Sequence, residues 1–178
     1  EVSPERVERT DPLAGGPVQV TIEIRNDQLG VLDWSAAPGA AWLAVSCAEE
    51  GLSLRTAGIA VPILVLGLVT AQEADEAIAA GLSLTVYSPD AAQLYSERAT
   101  ALGHSVCVHL KVDTGMGRLG TLPGEDTLAF ARSVTAMPAV HLEGIFTHLA
   151  CADEADPAPT LDQLARPITV SFDRAPQA

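Results

Sequence analysis

Short apolar segments alternate with helix-like segments along the middle of the chain, from about residue 41 onward. Strands that alternate with helices of about ten residues are typical of βαβ units, in which neighbouring strands run parallel. The pattern therefore predicts an α/β fold with a parallel sheet covered by helices. The predicted strands are Ala41–Ser46, Pro62–Leu66, Leu84–Tyr87, Ser105–Val112 and Val140–His148, and the predicted helices are Ala48–Ala57, Ala71–Ala80, Asp90–Leu102 and Glu125–Met137.

The ends of the predicted helices carry matching capping residues. Thr70-Ala-Gln-Glu73 is typical of a capping box, and Ser88-Pro89 places an N-cap before a first-turn proline. Gly58, Gly81 and Gly103 each follow a helical segment, where a glycine often ends a helix. Repeated units of this kind build either an open doubly wound sheet or a barrel, and periodicity alone does not separate the two.

Both ends of the chain carry weaker signals than the middle. Residues 1–40 are predicted to be weakly structured, with one possible strand at Val18–Ile24 and a connector rich in Pro, Ala and Gly at Asp33–Gly39. Residues 167–178 are predicted to be a loose tail. The sequence thus assigns the folded part of the chain to residues 41–166.

The predicted strand at Ser105–Val112, together with the next residue, has one polar face. Cys107, His109, Lys111 and Asp113 alternate with apolar residues and so lie on the opposite side of the sheet from them. Strands of a helix-covered parallel sheet are usually apolar on both faces. The polar face therefore indicates the interior mouth of a barrel or a ligand crevice, or else an edge strand with one wet face.

Lys111 is the only lysine in the chain. A lysine can form an imine with an aldehyde cofactor such as pyridoxal phosphate, although a single lysine is more often a surface charge. Because an unpaired ammonium group is costly to bury in an apolar strand, we expect Lys111 to have a partner. Asp113, on the same face, is the nearest candidate.

A glycine-rich loop, Asp113-Thr-Gly-Met-Gly-Arg118, follows this strand directly. Its glycines allow a tight turn close to a ligand. Arg118 supplies a fixed charge with planar donors, which suit a phenolate, a carboxylate or a phosphate. The glycine spacing is neither that of a dinucleotide fingerprint nor that of a P-loop.

His148 ends the last predicted strand, and barrel active sites gather at the carboxyl ends of strands. It falls in register with the apolar Leu142 and Phe146, so a structural histidine fits the pattern equally well. His148, Cys151 and Asp153 lack the second Cys/His pair of a metal site, and the sequence predicts no bound metal.

Charge and composition exclude several classes of partner. Hydrophobic residues make up 48% of the chain, and the net charge of −13 disfavours binding to nucleic acid or to an anionic membrane surface. The longest apolar run, Val61–Val69, is far shorter than a membrane span. Cys47, Cys107 and Cys151 are widely spaced, which favours reduced thiols and a cytoplasmic location.

Blocks of residues from Trp42 to about Asp156 resemble consecutive parts of the alanine racemase barrel, in the family's order and close to its spacing. The block Leu110-Lys-Val-Asp-Thr-Gly-Met-Gly-Arg-Leu-Gly120 is the most specific of them. The others are Trp42-Leu-Ala-Val, Glu49-Glu-Gly-Leu-Ser-Leu-Arg-Thr-Ala-Gly58, Pro62-Ile-Leu-Val-Leu-Gly67 and Leu142-Glu-Gly-Ile-Phe-Thr-His148.

The resemblance implies a (β/α)8 barrel that binds pyridoxal 5′-phosphate and interconverts L- and D-alanine for the bacterial cell wall, in a homodimeric enzyme. It implies that Arg118 faces the phenolic oxygen of the cofactor and helps to hold the substrate carboxylate. Lys111, which is carbamylated in some members, would orient Arg118, and His148 would stack against the cofactor ring.

The chain departs from the family pattern at the catalytic residues. The family's Schiff-base lysine lies in a Lys-x-x-x-Tyr-Gly block that this sequence does not contain. The family's second base, a tyrosine of the C-terminal β domain, is not matched either. Racemisation needs a base on each face of the α-carbon, so the sequence identifies no catalytic residue.

We therefore expect a partial TIM-like barrel, without the C-terminal β domain, that is inactive alone. An incomplete barrel exposes strand edges, so self-association is expected as well. Two alternatives stay open: a non-catalytic remnant that binds pyridoxal phosphate, or another family with this barrel, such as an amino-acid decarboxylase or a protein of pyridoxal-phosphate homeostasis.

Overall fold

Five parallel strands form the main sheet of the structure, a computed structural model of the protein. They follow one another in chain order, β4-β5-β6-β7-β8, and a helix connects each strand to the next. A doubly wound sheet reverses its strand order at a switch point, whereas these five strands progress in one direction, as in a barrel. The elements are β4 Leu43–Val45, α1 Ala48–Thr56, β5 Ile63–Val65, α2 Ala71–Ala79, β6 Ser83–Val86, α3 Pro89–Leu102, β7 Val106–Val112, α4 Glu125–Thr135, β8 Val140–Thr147 and α5 Ala158–Leu164.

The structure describes residues 6–9, 20–26, 30–35, 42–152, 154–156 and 158–164. Within these ranges the predicted α/β fold with a parallel sheet is confirmed, and each of the five predicted strands and four predicted helices is present. The α5 helix was not predicted. Two prolines near its start, Pro157 and Pro159, hide it in the sequence, although proline is well tolerated in a first helical turn. The predicted tail lies outside the described residues.

A second, antiparallel sheet precedes the main one and has the order β1-β2-β3. Its strands are β1 Arg6–Arg9, β2 Val20–Asn26 and β3 Gly30–Ser35. The sequence predicted only one strand here, at Val18–Ile24, which overlaps β2. The other two were missed because β1 is a charged segment without an apolar run, and both are defined by pairing with β2.

The core lies between the sheet and its helices. Every residue of β5 and β6 is buried, and α2 contributes Ala74, Ala77 and Ile78, which are three and four positions apart and share one face. The predicted capping box at Thr70 and Glu73 is confirmed. Small alanines on the inner faces of α2 and α3 let these helices approach the strands closely.

A β-bulge in β8 changes which side chains share a face with β7. Leu142 pairs with Val108, but the next residue of β7, His109, pairs with Gly144, so Glu143 is the extra residue. Beyond the bulge, Phe146 pairs with Lys111. The expected register of Phe146 with Leu142 is therefore wrong, because one inserted residue moves Phe146 to the polar face.

Candidate functional site

Lys111 is buried near the carboxyl end of β7, with 4% of its surface exposed. Its ammonium nitrogen lies 5.5 Å from the centroid of the Phe146 ring, within the range of a cation–π contact. In the described part of the chain, Lys111 has no hydrogen-bond acceptor and no ion pair. Desolvation, and then the charge of Arg118, lower the pKa of Lys111, while the charge of Asp113 opposes this shift.

The expected pairing of Lys111 with Asp113 is wrong, because the Asp113 carboxylate binds the loop that follows it. Its Oδ1 accepts the backbone N–H groups of Gly115, at 2.9 Å, and Gly117, at 3.0 Å. Its Oδ2 accepts the N–H of Arg118 at 2.9 Å. The Gly117 bond is the largest of several backbone contributions that lower the pKa of Asp113, so this carboxylate stays ionised and holds the loop.

The same loop returns to β7 through Thr121. The N–H of Thr121 donates to the Lys111 carbonyl at 2.9 Å, and the Asp113 N–H donates to the Thr121 carbonyl at 2.8 Å. Gly120 makes this approach possible: a Cβ atom there would lie 2.4 Å from the Asp113 nitrogen, and its φ of +144° is unfavourable for other residues. The loop is therefore held at both ends.

Arg118 leaves this loop with an exposed side chain. Its backbone is fixed by Asp113, but its guanidinium group makes no hydrogen bond or ion pair with any described residue. Arg118 lies on the loop that follows the strand of Lys111, and its positive charge contributes to the lowered pKa of Lys111. Two cations without an anionic partner form a surface that can bind a phenolate, carboxylate or phosphate.

His148 follows β8 and is exposed, so its ring is accessible at the same edge of the sheet. Its carbonyl accepts a hydrogen bond from Gln163 Nε2 at 2.9 Å. At the neighbouring strand ends, the hydroxyls of Thr114 and Thr147 are 2.8 Å apart. The three predicted site residues, Lys111, Arg118 and His148, thus all lie at or just beyond the carboxyl ends of β7 and β8.

Glu143 interacts with several polar side chains on the polar face of β7 and on β6, nearer to the amino ends of the strands. The sequence did not identify these residues as a group. Glu143 Oε2 lies 3.7 Å from His109 Nε2 and accepts a hydrogen bond from Ser83 Oγ at 3.3 Å. Desolvation lowers the pKa of His109 although Glu143 opposes the shift. Desolvation, aided by Glu143, raises the pKa of the Cys107 thiol to about 11, so this thiol is a poor nucleophile.

The sequence did not predict the contacts of Glu143, because only the bulge brings this residue toward β7 and no local sequence pattern predicts a bulge. The neighbouring Gly144 gives a faint signal: a Cβ atom there would lie 2.7 Å from His109 Nδ1, so the imidazole needs a glycine beside it.

Among the residues that the structure describes, no three His, Cys, Asp or Glu side chains are arranged to hold a metal ion. Asp153, one of the residues considered for a metal, lies outside the described ranges. No helix within those ranges has the length and apolar character needed to cross a membrane.

The model of the family "Alanine racemase, N-terminal domain" matches residues 28–172. An alanine racemase of Desulfovibrio desulfuricans is 43% identical over 132 residues, which are 74% of this chain and 35% of that protein. An alanine racemase of Desulfosudis oleivorans is 48% identical over 126 residues, covering 66% of this chain and 32% of the relative. The chain thus spans about a third of the length of these curated relatives.

Solved structures of racemases also match this chain over about 70% of its length. Alanine racemase of Clostridium difficile in complex with cycloserine superposes with a TM-score of 0.68 at 38% identity, over 71% of this chain and 35% of that one. A histidine racemase of Leuconostoc mesenteroides has a TM-score of 0.67 at 29% identity, over 72% of this chain and 35% of the other. The same partial barrel therefore occurs in racemases named for different amino acids.

Proposed function

The chain belongs to the alanine racemase N-terminal domain family, and from that premise we propose that it forms part of the pyridoxal-phosphate site of an enzyme that interconverts L- and D-alanine. One observation carries the proposal: the described residues supply no acceptor for the buried Lys111, and Arg118, on the loop that follows the same strand, adds a second cation. A cation on a largely buried side chain is costly unless an anion compensates it, so the site suits an anionic ligand.

The donors present fit the phenolic oxygen and ring of pyridoxal phosphate. Arg118 would face that oxygen and the substrate carboxylate, because its planar guanidinium can donate to both. Lys111 would orient Arg118, and the exposed imidazole of His148 would stack against the ring. When bound, the cofactor supplies an electron sink for the negative charge that develops at the α-carbon of the amino acid.

The same proposal holds that this chain does not racemise alanine by itself. Its only lysine is Lys111, which we propose orients Arg118 and does not form an imine with the cofactor aldehyde. Tyr95 is fully buried and donates to the Val69 carbonyl at 3.0 Å, so this tyrosine is not available as a base. Racemisation by the purified chain that disappears in Lys111→Ala would overturn this part.

The remaining features of the proposal follow from the family. The enzyme would serve D-alanine supply for peptidoglycan, in the cytoplasm and as a homodimer. The alanine racemases reported above, at 43% and 48% identity, support alanine over the substrates of a decarboxylase or a pyridoxal-phosphate homeostasis protein. The second candidate, a non-catalytic cofactor-binding remnant, is favoured by the single lysine.

The cofactor site is tested with 4-deoxypyridoxine 5′-phosphate, which keeps the phenol, ring and phosphate but has no aldehyde to react with amines. Calorimetric titration should show saturable binding to the chain. Arg118→Ala should weaken it about tenfold or more, since one charge-assisted hydrogen bond contributes about 1.5–3 kcal/mol.

Arg132→Ala is the matched control, because Arg132 is an exposed arginine in the last turn of α4, which leads to the amino end of β8 and not to the carboxyl ends of the strands. It should bind like the wild type. Equal losses in the two arginine variants would indicate non-specific charge attraction, and no saturable binding by the wild type would reject the cofactor site.

A further inference from the structure

We infer that Gln163 is a positioning residue that locks the loops after β7 and β8 together and so sets Arg118 against His148; the inference rests on the proposed cofactor site. Gln163 lies on α5 and is buried, with 5% of its surface exposed. Its amide makes three hydrogen bonds, and each reaches a residue at or beyond the end of a strand.

The backbone fixes the orientation of the Gln163 amide. The Ala150 N–H can only donate, so the atom 2.9 Å from it is the acceptor Oε1. The His148 carbonyl can only accept, so the atom 2.9 Å from it is the donor Nε2. Because these two partners have opposite requirements, a flipped amide would lose both bonds, and the side chain spans residues 148–150 in one way only.

The second hydrogen of Nε2 reaches the other loop. It donates to Thr114 Oγ1 at 2.9 Å, and the Thr114 hydroxyl also shares a hydrogen bond with Thr147 Oγ1 at 2.8 Å. Thr114 is fully buried and is the residue after Asp113, whose carboxylate holds the Arg118 backbone. A continuous path therefore joins His148 to Arg118 through Gln163, Thr114 and the Asp113 loop.

The two loops depend on Gln163 because few other hydrogen bonds connect them. The loop after β7 is organised by Asp113 and Thr121, which belong to that loop alone. Strand pairing between β7 and β8 ends at Val112 and Thr147. Apart from the bond between the Thr114 and Thr147 hydroxyls, the described hydrogen bonds between the two loops beyond that point run through Gln163. Removing its donors should let the loops move separately while the sheet below remains intact.

The experiment compares Gln163→Met, Gln163→Glu and Thr114→Val. Met keeps the length and removes all three bonds, and Glu keeps the acceptor for Ala150 but loses both donors. Val at position 114 removes the bond to Gln163 and the bond between the Thr114 and Thr147 hydroxyls. Amide hydrogen exchange of Ala150 and Arg118 is measured by NMR in the free protein. Affinity for 4-deoxypyridoxine 5′-phosphate is measured well below the melting temperature.

A stability control separates positioning from simple loss of stability. Val134→Ala truncates a fully buried side chain on α4 and should lower the melting temperature without touching the amide network. Thr160→Val is the control on α5 itself, because the buried Thr160 Oγ1 has no hydrogen-bond partner among the residues that the structure describes. Both controls should keep the exchange rate of the Arg118 amide and the ligand affinity of the wild type.

Positioning by Gln163 predicts faster exchange at Ala150 in the Met variant only, faster exchange at Arg118 in all three variants, and affinity about tenfold lower in Met and Glu. Unchanged exchange at Arg118 would overturn the inference, as would an affinity loss in Val134→Ala equal to that in Gln163→Met. If the wild type does not bind the ligand, the cofactor proposal fails, whereas faster Arg118 exchange still supports the link.

Discussion

The two halves of the main sheet, β5 and β6 on one side and β7 and β8 on the other, differ in whether their buried polar groups have hydrogen-bond partners. In β5 and β6 all residues are buried, and the two hydroxyls there are satisfied: Thr85 donates to the Val65 carbonyl at 2.6 Å, and Ser83 donates to Glu143. In β7 the equally buried Lys111 has no acceptor among the described residues. A scaffold requires that its buried polar groups be satisfied, and the lack of an acceptor for this one charged group is the reason why we propose the other half as the ligand-facing part.

The first half should carry most of the stability, and this gives the largest expected effect. Leu84→Ala in β6 truncates a fully buried side chain and should lower the free energy of unfolding by about 2–5 kcal/mol. Leu68→Ala, at a position that is 49% exposed, should cost less than about 0.5 kcal/mol. Urea unfolding measures both, and similar losses at the two positions would show that β6 is not part of a packed core.

Substitutions of Asp113 test how much the loop after β7 contributes to stability in the second half of the sheet. Asp113→Ala should lower the free energy of unfolding by about 2 kcal/mol, because three backbone N–H groups lose a charged acceptor. Asp113→Asn keeps one neutral acceptor oxygen and should recover part of the loss.

The stabilisation by Asp113 should also depend on pH. Its pKa is lower in the folded chain than in the unfolded chain, so its contribution is complete above about pH 4 and is lost as the pH falls through the lower, folded value. Neither variant should show this component of acid unfolding. A wild-type curve that runs parallel to that of Asp113→Asn at all pH values would contradict the assignment.

Replacing Lys111 should raise the free energy of unfolding, whereas replacing Asp113 should lower it. Lys111→Met removes a buried charge and keeps an unbranched side chain, so it should raise the free energy of unfolding by about 1 kcal/mol while weakening ligand binding. Because the pKa of Lys111 is lowered by folding, wild-type stability should rise with pH in the window below about pH 10.4, and the variant should lack this rise. A destabilised Met variant would show that Lys111 is already compensated.

The smallest expected effect is kinetic and concerns Cys107. Since the pKa of this thiol is raised to about 11, iodoacetamide should modify it far more slowly at pH 8 than in the urea-unfolded chain. The rate in the folded chain should increase toward pH 11. Mass spectrometry of the modified peptide separates Cys107 from the other two cysteines, and equal rates in folded and unfolded chains would contradict the burial of its thiolate.

The parts of the site that sequence could predict are those fixed by local chemistry. The alternation in β7 placed Lys111 on a polar face, and the glycines around Arg118 predicted a tight loop at the end of the strand. The same reasoning gave Lys111 the wrong partner, because alternation shows which side chains share a face and not which backbone groups compete for Asp113.

The parts that sequence could not predict depend on contacts between distant segments. The β8 bulge exists only relative to β7, so the position of Phe146 beside Lys111 could not be derived from either strand alone. Gln163 lies 49 residues from Thr114 and on a helix that its prolines concealed. No period or spacing connects such residues; the fold brings them together after the local elements have formed.

One titration tests most directly whether the ligand-facing half carries an uncompensated charge. Because Lys111 is the only lysine, selective ¹³C labelling of lysine gives a single Cε signal whose pH dependence reports its pKa. The pKa should lie below that of an ordinary lysine in the free chain and rise when 4-deoxypyridoxine 5′-phosphate binds. A free-chain pKa at or above the ordinary value, or one that saturating ligand leaves unchanged, would contradict the account.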